Sequence, residues 1–222
     1  MDYDPLMMDS ALVRTSILVI LSAAAFQASV SAATTIYTDP ASFFAVVTSL
    51  GTETFESLPD PVTPVTTPYS FNVGGISVSA TASLGGVLSV GSLADKWLST
   101  SSPTPAMTFN FSGDSVYAVG GFFFGNGFDG LFMAGDMMVA TNDLTSYRVV
   151  NATTTSFVGF ISSDPITSLS VTAEQPVGSS LFPTLNDMVF GAPSAVPEPG
   201  TAMVHGLVGA AGLAMAMRRK RR

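Results

Sequence analysis

The chain has 222 residues, enough for one ordinary domain with attached segments, and only 11% of them are charged, against roughly 25% in typical soluble proteins. It contains no cysteine, which excludes disulfides, thiol nucleophiles and thiolate metal sites. Its single histidine, His205, lies near the C-terminus, so the main domain cannot contain Ser-His-Asp catalysis or a histidine-based zinc site.

The charges are unevenly distributed along the chain. Five of the eight basic residues are the last five residues, 218–222. Between residues 33 and 195, the two basic residues Lys96 and Arg148 face twelve acidic ones, which gives a net charge of −10. Such a surface repels phosphate backbones, so we expect no nucleic-acid partner. It is compatible with divalent cations and with neutral polymers such as polysaccharide.

Residues 1–32 have the features of a secretory signal peptide. Arg14 precedes an apolar run over residues 16–26, and the Val-Ser-Ala at residues 30–32 satisfies the small-residue rule for signal peptidase. The run is shorter than the ~20 residues of a membrane-spanning helix. A buried first helix is the alternative. We expect export, with a mature chain that begins near Ala33.

Residues 33–195 are predicted to form the exported domain, which opens with a short β-prone run, TTIY, and one helix. Asp39 would be the N-cap of this helix, Pro40 its first residue, and Gly51 would follow its end. One face would carry three apolar residues at helical spacing and cover one opening of a sheet core: Phe43, Val47 and Leu50.

The rest of the domain alternates apolar with small polar residues in short segments. Clusters of Gly, Pro, Asn and Asp separate these segments at roughly ten-residue spacing. Such period-two patterning indicates an antiparallel sandwich or barrel, and the lack of a fixed-period repeat disfavours a solenoid. We therefore predict a mainly β fold, a jelly-roll-like antiparallel β-sandwich. The predicted strands are TETFESL, YSFNV, ISVSATA, VLSV, AMTFNFS, VYAVGGFFF, LFMAG, MMVAT, SYRVV, SFVGFIS, SLSVTAE and LNDMVFG.

Three carboxylates are candidate calcium ligands. Glu53 and Glu56 lie in an early strand region and Asp187 in the last predicted strand, and the first and last strands of a jelly roll are often neighbours. Calcium requires six to eight oxygen ligands, several of them carboxylates, and too few basic residues are present to pair every acid. The alternative is that these acids face solvent.

The stretch FFFGNGFDGLF, residues 122–132, is the most unusual part of the domain. Asn126-Gly127 and Asp129-Gly130 are strong turn formers, which predicts a hairpin whose phenylalanines enter the core. A second interpretation is a rim loop that exposes Phe128 beside Asn126 and Asp129, since ligand pockets combine apolar walls with a few polar groups. Trp97, in the polar segment LADKWLST, is another candidate for stacking on a sugar, with core burial as its alternative.

Catalysis is not expected in this domain. Glycoside hydrolysis needs two facing carboxylates, and no short motif of the sequence places two acids together in that way. We therefore expect a non-enzymatic protein.

The chain ends in VPEPGTAMVHGLVGAAGLAMAMRRKRR, residues 196–222. Residues 201–217 carry no charge and, at ~1.5 Å per residue, would form a helix of about 25 Å, slightly shorter than the ~30 Å hydrocarbon core of a bilayer. The basic tail at residues 218–222 follows the positive-inside rule, which would leave the domain outside the cytoplasmic membrane.

This three-part ending, with Pro197-Glu198-Pro199 before an apolar helix and a basic cluster, resembles the PEP-CTERM sorting signal, also labelled the ice-binding protein C-terminal domain. The resemblance implies that a membrane-embedded exosortase recognises Pro197, Glu198 and Pro199 and cuts nearby. It also implies delivery to the cell surface or exopolysaccharide matrix of a Gram-negative, biofilm-forming bacterium. A plain C-terminal membrane anchor is the alternative.

Two functions follow as expectations. The first is an exported, non-enzymatic cell-surface or matrix protein, with signal peptidase, exosortase and the cytoplasmic membrane as its partners. The second is a lectin-like carbohydrate-binding module of the biofilm matrix, with exopolysaccharide as its ligand and calcium as a structural ion.

Overall fold

The computed structural model describes residues 33–194, which form fifteen strands and one short helix. The predicted signal peptide, the sorting motif Pro197–Pro199, the apolar segment 201–217 and the basic tail lie outside these residues. The elements are β1 (Thr34–Tyr37), α1 (Pro40–Phe44), β2 (Val47–Glu53), β3 (Thr63–Pro64), β4 (Tyr69–Val73), β5 (Ile76–Ala82), β6 (Val87–Gly91), β7 (Lys96–Thr100), β8 (Met107–Gly113), β9 (Ala118–Asn126), β10 (Phe132–Met133), β11 (Gly135–Thr141), β12 (Ser146–Ala152), β13 (Phe157–Ser162), β14 (Ser168–Ala173) and β15 (Phe182–Pro193).

The strands form two antiparallel sheets. The nine-stranded sheet has the order β1-β13-β9-β15-β7-β6-β3, with β10 paired to β9 and β2 paired to β15. The six-stranded sheet has the order β12-β11-β14-β8-β5-β4. The prediction of a mainly β, antiparallel fold is therefore confirmed.

The main hydrophobic core contains side chains from both sheets. The nine-stranded sheet contributes Leu98 and Phe123, among others, and the six-stranded sheet contributes Phe109 and Leu169; all four are fully buried. One apolar core shared by two sheets is the arrangement of a β-sandwich. Its burial supplies the dominant favourable term in folding.

The opposite face of the nine-stranded sheet is also covered by apolar side chains. Because side chains alternate along a strand, Phe122 and Phe124 of β9 point away from the main core that contains Phe123. The helix α1 covers part of this face, where the ring of Phe43 lies 5.3 Å from that of Phe157. A separate cluster covers another part and includes Val90, Trp97, Phe124 and Leu181.

The described chain begins and ends at the same end of the nine-stranded sheet. Thr34 pairs with Ser162 on β13, and both Ile161 and Gly191 pair with Ala118 at the start of β9. At the other end of β9, Asn126 pairs with Phe182. At roughly 3.3 Å per residue along β15, the two ends of the sheet are about 30 Å apart.

The helix predicted from residue 40 towards Gly51 is much shorter in the structure. Asp39 is its N-cap as predicted, since one carboxylate oxygen accepts a hydrogen bond from Ser42 N at 2.7 Å. The helix ends at Phe44, however, and Val47 begins β2. The β-branched residues 46–48 disfavour a helix, and β15 offers them a strand partner, with Val47 paired to Pro193.

Two other sequence predictions were wrong in position. The strand predicted as TETFESL ends at Glu53, and Phe55 follows in the left-handed region with φ 62°. Trp97 was placed in a polar segment, but it belongs to β7, and its exposure of only 8% agrees with the core-burial alternative. The polar turn lies just before that strand, where Ser92 N donates to Asp95 O at 2.8 Å.

Asp143 joins the two sheets at the end where the described chain begins. Its Oδ2 accepts a hydrogen bond from Thr34 Oγ1 of β1 at 2.6 Å, while Asp143 itself lies in the turn between β11 and β12. The same carboxylate accepts from Thr141 Oγ1 and from Thr145 N and Oγ1. Desolvation raises the pKa of Asp143, but the hydrogen bonds from Thr141, Thr34 and Thr145 outweigh it and lower the pKa to about 2.

This lowered pKa predicts a specific dependence of stability on pH. A carboxyl whose pKa is lower in the folded state stabilises the fold above its unfolded pKa of 3.8, and that contribution is lost as pH falls towards 2. Asp143→Asn should therefore flatten the decline of unfolding free energy between about pH 4 and pH 2, measured by urea unfolding. Asp164→Asn is the control, because the Asp164 carboxylate accepts no hydrogen bond within residues 33–194. If the unfolding free energy of Asp143→Asn declined between about pH 4 and pH 2 as steeply as that of the original chain, the lowered pKa of Asp143 would be contradicted.

Candidate functional site

A cavity of about 190 Å³ lies at the end of the nine-stranded sheet opposite to Thr34 and Gly191. The loop of residues 127–131, between β9 and β10, forms one side of it together with the end of β9. The other sides come from β6, the ends of β7 and of the segment before β3, and the start of β15. Its apolar lining consists of Val62, Leu88, Val90, Gly130, Phe128 and Phe182. Its polar lining consists of Thr100, Ser101, Asn126 and the backbone of Gly127.

The 127–131 loop holds Phe128 at the rim of the cavity. Phe128 is 89% exposed, and its ring lies 6.4 Å from that of Phe182. Gly127 N donates to Leu131 O at 2.9 Å, and Gly130, at φ 76°, adopts a conformation that favours glycine. The structure thus gives Phe128 the exposed position of the rim-loop interpretation.

The hairpin interpretation accounts for the neighbouring phenylalanines. Strands β9 and β10 pair through Asn126 and Phe132, and the residues just before the turn, Phe123 and Phe124, are fully buried. The two interpretations of this stretch therefore apply to different residues of it.

Asn126 lies beneath the loop and is only 3% exposed. Its Oδ1 accepts hydrogen bonds from Ser99 Oγ and Thr184 Oγ1, each at 2.6 Å, and its Nδ2 donates to Gly127 O at 2.7 Å. The orientation of the amide follows from these partners, because a carbonyl oxygen placed against Gly127 O would be repelled. The second proton of Nδ2 has no acceptor within residues 33–194.

The other two residues predicted for a sugar site do not line the cavity. Asp129 Oδ1 accepts a hydrogen bond from Leu131 N at 3.1 Å, so this oxygen stabilises the loop. Trp97 lies behind the cavity wall, paired with Val90 and with its ring 4.8 Å from that of Phe124. Because Trp97 is buried, its ring is not available for stacking on a ligand.

Sequence reasoning missed most of the cavity wall. Val62, Leu88 and Phe182 come from three separate segments, and no local motif joins them to Phe128. Only strand pairing brings them together, as Asn126 with Phe182 and Leu88 with Ser99.

The predicted calcium ligands are only partly brought together. Strand β2 does pair with β15, as the prediction of neighbouring early and late strands required. Burial, and then the charges of Asp95 and Glu56, raise the pKa of Asp187, so these three carboxylates are close enough to interact. The Glu53 side chain is not among these three carboxylates. Its Oε1 accepts a hydrogen bond from Phe55 N at 2.7 Å.

Donors from the protein also contact this acidic group. Asn186 Nδ2 donates to Asp95 Oδ1 at 3.2 Å, and Lys96 N donates to Glu56 Oε1 at 3.3 Å. In the part of the chain that the structure describes, no group of three or more acidic, histidine or cysteine side chains is arranged to hold a metal ion.

Both basic side chains of the domain are held by protein acceptors. Lys96 Nζ donates to Leu58 O at 2.7 Å. The guanidinium of Arg148 pairs with Asp136 at 2.7 Å and with Glu174 at 2.6 Å, beside a polar cavity of about 330 Å³. Neither cation lines the cavity beneath the 127–131 loop.

No protein-family model, no curated protein and no solved structure matches this chain. Within residues 33–194, no helix has the length and hydrophobicity needed to cross a bilayer. The cavity combines apolar and aromatic lining with a few polar groups and no charged side chain, which is the composition of small-molecule sites.

The raised pKa of Asp187 predicts that its charge destabilises the fold. A carboxyl whose folded pKa lies above its unfolded value opposes folding increasingly as pH rises through both values. Asp187→Asn should therefore increase the unfolding free energy at pH 7, and the difference from the original chain should disappear near pH 3. Asparagine also tolerates the φ of 49° found at this residue.

Urea unfolding at the two pH values measures this effect. Repeating the pH 7 experiment with added calcium provides the control for a metal at this position. Stabilisation by calcium that Asp187→Asn abolishes would show that Asp187 serves as a metal ligand and would contradict a purely repulsive role.

Proposed function

We propose that this protein is an exported, non-enzymatic cell-surface or exopolysaccharide-matrix protein, sorted by an exosortase through residues 196–222. The supporting observation is that Ala33 and Ser194 leave the domain at the same end. Ala33 N donates to Ser163 Oγ at 3.2 Å, and Ser194 N donates to Val46 O at 2.9 Å. A preceding segment and a following segment can therefore both be held at one membrane surface without passing around the domain.

In this proposal the two terminal segments act in sequence. Signal peptidase removes residues 1–32 after export. The apolar helix of residues 201–217 then holds the domain outside the cytoplasmic membrane, with residues 218–222 in the cytoplasm. Finally, the exosortase recognises Pro197, Glu198 and Pro199 and transfers or releases the protein to the surface or matrix of a Gram-negative bacterium.

The length of the connection limits how far the domain can stand from the membrane. Six residues, 195–200, separate Ser194 from the apolar segment, and a fully extended chain covers at most about 3.6 Å per residue. The end of the domain that carries Ala33 and Ser194 would therefore stay within ~20 Å of the membrane, and the cavity lies at the opposite end of the sheet. A jelly-roll-like form of the sandwich belongs to the same proposal, and the pairing of β2 with β15 supports it.

Mass determination on the protein from its own cells tests this delivery route. Cleavage near Pro197-Glu198-Pro199 should give a mature chain that begins near Ala33 and lacks the basic tail. Glu198→Ala should retain the C-terminus at Arg222, while Glu174→Ala, an acid within the domain, should be processed normally. An original chain that still ends at Arg222 would contradict exosortase cleavage and support a permanent anchor.

The second candidate is a carbohydrate-binding module of the matrix, and the cavity beneath the exposed Phe128 favours it. In this second candidate, calcium would be a structural ion near Glu56 and Asp187. Glu53 is the third residue that the sequence predicted as a calcium ligand. The uncharged, largely apolar lining and the buried Asn126 amide are of the kind that small-molecule pockets combine.

Glycan-array binding by the exported chain, with and without a chelator, tests the second candidate. We expect retention of neutral glycans, and a loss of binding with chelator would show that calcium contributes. No retained glycan under either condition would contradict carbohydrate binding and leave the first proposal in place.

A further inference from the structure

We propose that the cavity beneath the 127–131 loop binds one neutral sugar ring at the end of a saccharide chain, an inference that rests on the proposed carbohydrate binding. Asn126 Nδ2 would donate a hydrogen bond to a ring or hydroxyl oxygen of this sugar. The rings of Phe128 and Phe182 would contact the apolar face of the sugar.

The lining of the cavity selects an uncharged ligand. None of its lining side chains is charged, and the domain's excess of acidic residues repels an anionic sugar. A cationic ligand offers donors, but Asn126 Oδ1 already accepts two hydrogen bonds from Ser99 and Thr184. A carbonyl oxygen has two lone pairs, so this acceptor is saturated.

The Asn126 amide nitrogen requires an acceptor on the ligand. Asn126 Nδ2 uses one proton for Gly127 O and has a second proton without an acceptor within residues 33–194. A wholly apolar ligand would displace water and leave this buried N–H unpaired, which is unfavourable. A hydroxyl oxygen or ring oxygen of a sugar satisfies it.

The apolar walls match the other property of a sugar ring, its face of C–H groups. The rings of Phe128 and Phe182 have centroids 6.4 Å apart and are tilted by 58° to each other, which leaves no room for a sugar between them. A sugar ring would instead lie against the exposed Phe128, with the nearly buried Phe182 beside it. Leu88 and Val90 complete the apolar wall. Phe128 gains most from such a contact, since 89% of it is exposed in the absence of a ligand.

The size and position of the cavity favour a chain end. Its volume of about 190 Å³ is below the roughly 300–1,000 Å³ of pockets that hold drug-sized ligands, which leaves room for a single ring. It lies at the end of β9 and β15 opposite to Ala33 and Ser194. A saccharide chain end can therefore reach it from the side of the domain that is remote from both termini.

Binding can be measured with the full-length chain in lipid nanodiscs, which avoids sugar-based detergents. Trp97 is the only tryptophan and pairs with Val90 of the cavity wall, so its fluorescence should report occupancy of this cavity. The ligands are neutral monosaccharides (glucose, galactose, mannose, xylose and N-acetylglucosamine) and their short oligomers. Glucuronic acid and glucosamine provide the anionic and cationic comparisons.

Two cavity variants and one control locate the site. Phe128→Ala and Val62→Ala truncate exposed side chains of the cavity wall, so both should fold. Phe128→Ala should weaken binding of the best neutral sugar by about tenfold or more, with a smaller loss for Val62→Ala. Leu144→Ala should bind unchanged, because Leu144 is equally exposed, at 87%, but lies beside Asp143 at the opposite end.

The outcomes separate this inference from the proposed function. Neutral-sugar binding that Phe128→Ala weakens and Leu144→Ala preserves supports the inference. Neutral-sugar binding that neither cavity variant changes overturns this site but retains carbohydrate binding. Preference for glucuronic acid or glucosamine overturns the neutral selectivity. No saccharide binding by the original chain overturns both the inference and the second candidate function.

Discussion

Strand β15 organises the nine-stranded sheet because it pairs with three other strands. It runs along β9 on one side, and on the other side it pairs first with β7 and then with β2. The change of partner coincides with a bulge between Asn186 and Val189, where Asp187 has a φ of 49°. Because a bulge inserts an unpaired residue and bends the strand, it lets two strands share one edge of β15. The cavity therefore lies beside the part of β15 that pairs with β7, and the helix α1 lies beside the part that pairs with β2.

The bulge also explains why the carboxylates of Asp187, Asp95 and Glu56 lie close together. It places the Asp187 carboxylate half-buried near Asp95 and Glu56, where desolvation and like charge both raise its pKa. Lys96, at the start of β7, holds the backbone around Glu56 through its ammonium group. The repulsion at this point is thus a consequence of the way in which β15 changes partners.

Buried polar groups connect the same strand to the cavity. Ser99 of β7, Asn126 of β9 and Thr184 of β15 form one hydrogen-bonded network on adjacent strands. A buried network of this kind is favourable when its members find partners, and it then specifies a single arrangement of the strands. Asn126 also lines the cavity, so the residue that aligns these strands belongs to the proposed ligand site as well. At a different part of the sheet, aromatic packing is equally close, since a Cβ at Gly159 would lie 2.4 Å from the Phe43 ring.

Local patterning by itself determined much of this protein. Alternation of apolar and small polar residues predicted β4 and β5 with the bounds that the structure has, because each strand buries one side and exposes the other. The turn residues around Phe128 predicted its hairpin, and the single histidine and lack of cysteine excluded whole classes of site. Tertiary structure alone decided that Val47 begins a strand, that Trp97 is buried, and that Val62, Leu88 and Phe182 surround Phe128. These outcomes depend on strand pairing between distant segments, whose hydrogen bonds and burial override local propensity and leave no pattern in any one stretch of sequence.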